Sequence, residues 1–255
     1  MQFSIITISF NRKATIAKAI ESVLSQDYKN IQYIVIDGNS TDGTKEIINT
    51  YSDKISILIS ENDNGLYEAL NKGMRLATGD LIGIMHSDDE FYDTTVVSQI
   101  AAAFQKNPNT NGFYGNGIYV SNDQQKNIIR DRICGEYSDK KIISGWLPLH
   151  TSVYLKKNVM EKYGYYNEEF KIASDTELLL RYLHHHKLEL TYLNIYFVKM
   201  RMGGLSTDYN NFFKVLLEDY RIYKKFGLPA YKIVFYKKIL TLKQYLKNQN
   251  KLKEI

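Results

Sequence analysis

The first hundred residues alternate between short β-rich runs and segments with helical spacing, which restricts this part of the chain to successive βα units and a mostly parallel sheet. "FSIITISF" is followed by "ATIAKAIESVLSQ", in which Ile16, Ile20, Val23 and Leu24 share one helical face. "IQYIVID", a turn "GNSTDG" and a short helix through "TKEIINTY" come next, then "ISILIS", a helix over "LYEALNKGMRLA" and "DLIGIMH". In an open sheet of this kind ligands sit beyond the carboxyl ends of the strands. Those ends are Ser9 to Asn11, Asp37, Ser60 to Asp63 and His86 to Asp89.

After Pro108 the pattern loosens. "GFYGNGIYV" and "NIIRDRI" read as antiparallel, and "KKNVMEKYG" and "SDTELLLRYLHHH" as helical. The expected layout is a mostly parallel half over 1–107, a smaller antiparallel half over 108–207, and a helical tail over 208–255. With 255 residues, 44% of them hydrophobic and 24% charged, the chain can bury one large core. A formal charge of +5 leans mildly toward anionic partners. The single cysteine, Cys134, excludes an internal disulfide framework and points to a reducing compartment.

The opening "MQFSIITISF" lacks a basic leader and reads as a strand, and no window is long and apolar enough to span a membrane. A cytoplasmic location is expected, or one against the inner face of the cell membrane. The tail carries nine lysines between Lys224 and Ile255 against one acidic residue, Glu254, interleaved with Tyr231, Phe235, Tyr236 and Tyr245. Two readings stand side by side: a peripheral membrane contact through a basic, aromatic helix, or a helix pair packed on the domain with solvated lysines.

"IGIMHSDDEF", residues 82 to 91, ends an apolar strand on the adjacent carboxylates Asp88 and Asp89. A carboxylate pair at the end of a buried strand is costly without a positive charge beside it, and a divalent cation is the natural candidate. If the strand runs on, His86 and Asp88 face one side and Asp89 the other. Imidazole suits manganese better than magnesium. The plain alternative for "SDDE" is an exposed turn or helix cap.

Four blocks, "ITISFNR", "VIDGNSTDGT", "ENDNGLYEALNKGMRLATGDLIGIMHSDDEF" and "FKIASDTELLLRY", together resemble glycosyltransferase family 2, the inverting nucleotide-sugar enzymes with a GT-A fold. The middle block is similar to the bacterial subgroup of colanic acid, capsule and O-antigen synthesis. The resemblance spans about residues 3 to 205. It implies a Rossmann-like sheet flanked by helices, a nucleotide-sugar donor with UDP favoured, a glycan or lipid-linked glycan acceptor, and Mn2+ or Mg2+ as cofactor. It further implies that Thr7, Ser9, Asn11 and Asp37 hold base and ribose, with the Asp37 carboxylate accepting from a uracil or guanine edge. Asp63, Tyr67 and Lys72 fall in the donor-side block, Lys72 offsetting diphosphate charge. Asp88 becomes the principal metal ligand, and Asp89 a neighbour that binds the donor sugar or fixes the loop. Asp175 matches the general base, although this chain reads Ser174-Asp175 where many members read Glu-Asp. Glu177 either supports that site or is a solvated helix residue. His150, in "WLPLHTS", matches a histidine common in the subgroup that reaches metal or phosphate.

The implied mechanism is a single in-line displacement, with Asp175 taking the acceptor proton and the metal at Asp88 stabilising the departing nucleoside diphosphate. His86 is the main departure, since the generic motif has Asp there and the subgroup frequently has Asn. Trp146 is the only tryptophan and no Gln-x-x-Arg-Trp exists, which favours single addition over processive synthesis.

Other signals are weaker. "DGNSTDGTKEII" fails as a calcium loop, with Asp42 where Gly is needed and Ile48 where Glu is needed. The histidines at 184 to 186 fan around a helix and cannot converge on one metal. "RMGGLS", with Gly203 and Gly204, is either a hinge or a turn before the tail. The 21 tyrosines are scattered, and no nucleic-acid partner is expected. Competing classes are a nucleotidyltransferase, disfavoured by the absence of glycines in "SFNRKATI", and a binding or scaffold protein derived from a transferase, disfavoured by the presence of Asp37, Asp88 and Asp175. A glycosidase would also use two carboxylates but needs no nucleotide pocket.

Overall fold

The structure is a computed structural model and describes residues 1–121, 127–203 and 211–252. Its strands are β1 (Phe3–Ser9), β2 (Ile31–Asp37), β3 (Ile57–Ser60), β4 (Leu81–Ile84), β5 (Glu90–Phe91), β6 (Gly112–Val120), β7 (Ile128–Arg132), β8 (Val153–Lys156) and β9 (Thr191–Arg201). The α-helices are α1 (Ile16–Leu24), α2 (Thr44–Asn49), α3 (Leu66–Leu76), α4 (Val96–Lys106), α5 (Asp139–Ile143), α6 (Lys157–Tyr163), α7 (Ser174–Leu179), α8 (Phe212–Lys225) and α9 (Ala230–Leu252).

Among the described residues these strands form one sheet in the order β3-β2-β1-β4-β8-β6-β9-β5, with β7 paired to β6. β3, β2, β1 and β4 run parallel, as the βα alternation predicts. Every residue of β1 is buried, which is why "FSIITIS" reads as a continuous apolar run without alternation: helices cover both faces of a central parallel strand. On one face α3 approaches so closely that a Cβ on Gly73 would stand 2.5 Å from Ile6 Cγ2. Only glycine allows that approach.

The second half is mixed. β8 runs antiparallel to β4 and β6, and β6 and β7 form the expected antiparallel pair. β9, a strand that the sequence reading did not pick out, pairs parallel to β6 through Phe113↔Thr191 to Val120↔Arg201. β6 and β9 lie far apart in sequence, so no local pattern could reveal their relative direction.

The tail packs on the domain as a helix pair. α8 buries Val215, Asp219, Ile222 and Tyr223, and α9 buries Ala230 and Ile233. Lys237 of α9 donates to both oxygens of buried Asp219 at 2.9 and 2.8 Å, which fastens the two helices together. The boundary at 207/208 and the second glycine of "RMGGLS" lie outside the described residues. No described helix is long and apolar enough to cross a membrane. The three histidines point to separate places: His184 lies 3.3 Å from Asp139, and the His186 ring packs 4.4 Å from that of Tyr163.

Candidate active site

A cavity of about 740 Å3 opens at the carboxyl ends of β1 and β4. This is where the topology requires a crevice: β1 connects outward to β2 and β3, while β4 returns on its other side, so the loops beyond the two strand ends diverge. Residues 8–10 at the end of β1, residues 62–65 before α3 and residues 86–89 after β4 line it, together with His150, Asp175 and the β9 end at Met200 and Arg201.

The strand supplying the carboxylates stops earlier than its sequence implies. β4 ends at Ile84, and residues 86–89 form a turn closed by the Asp89 N–H donating to the His86 carbonyl at 3.1 Å. The alternation that would pair His86 with Asp88 on one pleat face therefore does not apply. Asp88 nevertheless faces the cavity, and no hydrogen bond or ion pair ties it to another described residue. Asp89 also borders the cavity but is buried, and its Oδ1 accepts the Arg201 N–H at 3.2 Å. Burial, reinforced by the charge of Asp88, pushes the Asp89 carboxyl well above the ordinary carboxylate range. Of the two roles expected for Asp89, this geometry matches fixing of the loop: it ties the turn after β4 to the end of β9.

Asp175, at the start of α7, also lines the cavity, with 27% of its side chain exposed. Its Oδ2 lies 3.2 Å from His150 Nδ1, and His150 Nε2 lies 3.2 Å from His86 Nε2. Burial works against the Asp175 charge, but His150, aided by Lys237 and the Thr176 N–H, outweighs it and holds the carboxyl below its usual range. An ionised Asp175 requires a proton on His150 Nδ1. Which of the two Nε2 atoms donates follows from the tautomers of the rings. Burial first, and His150 second, lower the His86 pKa to about 4, so His86 is neutral near pH 7. The two histidines that the sequence left unplaced are thus one chain leading to Asp175.

The loop that presents Asp175 is held from two sides. Glu218 of α8 accepts the N–H groups of Lys171, Ile172 and Ala173 at 2.9, 2.9 and 2.8 Å. Tyr67 of α3 donates its hydroxyl to the Ile172 carbonyl at 2.7 Å and accepts from Ser174 N–H at 3.1 Å. Tyr67 therefore borders the cavity while serving the Asp175 loop; burial, aided by the Asp175 charge, raises its pKa well above the ordinary value.

Several expected donor-site residues do not face the cavity. Thr7 is buried and its hydroxyl accepts from Tyr33 at 3.0 Å inside the core. Asp37 has no exposed surface; its Oδ1 accepts from Ser9 and Ser40 hydroxyls, and its Oδ2 from Ser40 N–H and the Ser60 hydroxyl. Four donors surround this one carboxylate, so Asp37 clamps the ends of β1, β2 and β3. Asn11 sits at φ 52, donates its N–H to the Ser40 hydroxyl and accepts from Thr41 N–H, which makes it a stitch between loops. Lys72 is held by Asp63 at 2.6 Å and Glu61 at 2.5 Å and is not among the cavity residues. Glu177 is buried between Arg181 at 3.1 Å and Lys225 at 3.0 Å, where it joins α7 to α8 away from the cavity.

Ser9 and Asp63 do line the cavity. The Asp63 side chain is only 6% exposed, and its Oδ2 is buried without a hydrogen-bond partner, a costly state that a ligand donor would relieve. Among the cavity residues not named individually from sequence are Phe10, exposed at the mouth; Arg12; Tyr166; and Arg201, whose buried Nε has no partner. For Phe10, Arg12 and Arg201 the available signal was their place after β1 or at the end of β9; Tyr166, in the loop between α6 and α7, had none. Asn71 was also missed: buried, it pins the backbone of Tyr166 in both directions, donating to its carbonyl and accepting its N–H at 2.9 Å each.

A family model described as "Glycosyl transferase family 2" matches residues 4–168, which is most of the chain and contains both Asp88 and His150. The chain belongs to glycosyltransferase family 2. An uncharacterized glycosyltransferase of Mycobacterium tuberculosis is 32% identical over 182 residues, 70% of this chain and 67% of that protein. The UDP-Glc:alpha-D-GlcNAc-diphosphoundecaprenol beta-1,3-glucosyltransferase WfaP of Escherichia coli is 30% identical over 233 residues, 89% of this chain and 88% of that one. Among solved structures, S. aureus TarS in complex with UDP-GlcNAc superposes with a TM-score of 0.67 at 20% identity, over 87% of this chain and 65% of that one. The mannosyltransferase PcManGT from Pyrobaculum calidifontis, in complex with GDP-Man and Mn2+, gives 0.66 at 14% identity, over 92% and 68%. At such identities the structures establish the shared fold, and the protein is a glycosyltransferase of the GT-A type.

Among the described residues no three His, Cys, Asp or Glu side chains converge on a metal position. Magnesium-type cations need only one or two carboxylates when a substrate's phosphates complete the shell. Asp88, uncommitted and facing the cavity, fits that requirement.

Proposed function

We propose that this glycosyltransferase moves one sugar from a nucleoside-diphosphate sugar, UDP being the favoured carrier, to a hydroxyl of a lipid-linked glycan acceptor. The observation that carries the reading is a pair of carboxylates lining one cavity: Asp88 without a hydrogen-bond or ion-pair partner, and Asp175 at 3.2 Å from His150. Phe10 offers an exposed ring on which a base can stack, and the orphan Asp63 Oδ2 an acceptor for a base or ribose donor. Arg12 and Arg201 bring positive charge to the wall that carries Asp88. A divalent cation at Asp88, Mn2+ or Mg2+, supplies Lewis-acid stabilisation of the departing diphosphate.

Asp175 accepts the proton of the acceptor hydroxyl as that oxygen attacks the anomeric carbon. His150 orients the carboxylate and keeps it ionised; it does not itself need to accept the proton. One displacement from the face opposite the leaving group inverts the anomeric centre, and no enzyme nucleophile takes part. The names of relatives support the substrate classes: WfaP acts with UDP-Glc on a diphosphoundecaprenol-linked sugar, and TarS was captured with UDP-GlcNAc. An acceptor of that kind would place the enzyme at the inner face of the membrane, in the synthesis of a surface polysaccharide such as capsule.

The test is a thermal-shift panel of nucleotides and sugar nucleotides with and without manganese, since a ligand stabilises the fold according to its occupancy. UDP or a UDP-sugar should raise the melting temperature, more so with metal. If no nucleoside diphosphate does so under either condition, the reading fails.

A further inference from the structure

The α8–α9 pair turns a stripe of large apolar side chains to solvent, and the assigned chemistry uses none of them. On α8, Phe213, Leu217 and Tyr220 follow one another at helical spacing and are 75%, 58% and 42% exposed. On α9, Tyr231, Phe235 and Leu242 do the same at 67%, 63% and 58%. Single exposed apolar residues are ordinary, but six on the outward faces of two joined helices form a patch. The helices' opposite faces are already spent on the core.

The charge around this patch is of one sign. Between Phe212 and Lys243 the acidic residues are Glu218 and Asp219, and both turn inward, Glu218 to the Asp175 loop and Asp219 to Lys237. Lys225 is likewise taken up by Glu177. That leaves Lys214, Arg221, Lys224, Lys232, Lys238 and Lys243 without ion pairs among the described residues. Lys224 continues the stripe of Phe213, Leu217 and Tyr220, and Lys238 lies between Phe235 and Leu242 on theirs, its ammonium 4.7 Å from the Phe212 ring.

We propose that this pair is a preformed docking face for an anionic lipid bilayer, with the aromatic and leucine side chains entering the headgroup boundary and the lysines meeting lipid phosphates. A second copy of the chain is a poor occupant, because a two-fold contact would bring the same cations face to face. Leu217 and Leu242 have no stacking use on a nucleic acid, whereas they gain from hydrocarbon. The docking stands on the helix pair alone; its purpose rests on the lipid-linked acceptor reading. Through Glu218, α8 grips the backbone that presents Asp175, so a bilayer seated on the helix pair fixes the orientation of the base relative to the membrane.

Co-sedimentation of the full chain with vesicles, without nucleotide, tests the proposal. The protein should partition onto phosphatidylcholine mixed with phosphatidylglycerol, less onto phosphatidylcholine alone, and release as salt rises. Two double variants, Phe213→Ser with Phe235→Ser and Lys224→Glu with Lys238→Glu, should each lower partition by about ten-fold or more while leaving the thermal midpoint in place. Absence of wild-type partition, equal partition by both variants, or a wild-type dimer in gel filtration that the variants dissolve would overturn it. So would RNA binding that the same variants abolish while vesicle partition persists. Because no nucleotide enters the assay, failure of the nucleotide panel with vesicle binding intact rejects the transfer reading and leaves the docking face standing.

Discussion

At the scale of single residues the site is an arrangement for keeping one carboxylate charged. Asp175 sits where burial alone would raise its pKa, and His150 reverses that. Replacing Asp175 with Asn should lower turnover by roughly 10²–10⁴-fold, the usual worth of a positioned base, while calorimetry shows UDP binding retained. Retained turnover would remove Asp175 from the role. His150→Gln tests the coupling. Because the folded pKa of Asp175 is depressed by its partner, losing the imidazole should raise it, and the acid limb of the kcat/KM profile should move to higher pH. A profile that only falls in height would mean that His150 acts by packing. His86 lies next in the same chain, which gives the departure at that position a place in the site.

At the scale of elements the stability of the site comes from groups that never touch a substrate. Asp37 collects four hydrogen bonds from the ends of β1 and β3 and the loop after β2. Asp37→Ala strands those donors in a buried place and should cost about 3 kcal/mol in urea unfolding, well beyond a surface substitution. An unchanged midpoint would show that the loops reclose without it. Lys237→Ala leaves Asp219 buried and unpaired between α8 and α9. Removal of one partner of such a pair costs about 3–5 kcal/mol when both are fully buried; Lys237 is 32% exposed, so about 2 kcal/mol is expected, read as a lower thermal midpoint. Through the α8 contact to residues 171–173, the same variant should depress turnover more than donor binding.

At the scale of the whole molecule, donor and cation are expected to act as one ligand, because Asp88 alone is too small a donor set and needs the diphosphate to complete it. Chelation with EDTA should weaken UDP binding in calorimetry, and manganese or magnesium should restore it. Saturating donor at about 100 times its dissociation constant should then stabilise the fold by about 2.7 kcal/mol, visible as a shift in the melting temperature. Identical UDP affinity with and without chelator would assign charge balance to Arg12 and Arg201 instead.

The sequence by itself determined the βα alternation, the parallel direction of the first four strands, and the identity of the strand ends where ligands collect. Those are consequences of period-2 and period-3.6 patterns, each a property of a few neighbouring residues. It also drew attention to Asp88, Asp175 and His150. Which polar side chains look into the cavity was decided only by tertiary structure. Asp37 ends β2 and Lys72 lies on α3, and only the tertiary structure shows the loop side chains that hold each of them. Arg201 and Phe10 matter because β1 and β9, almost two hundred residues apart, deliver them to one crevice. Hydrogen-bond closure between distant segments depends on where loops end: β4 stops at Ile84, so the turn over 86–89 and not the strand pleat sets where Asp88 and Asp89 lie.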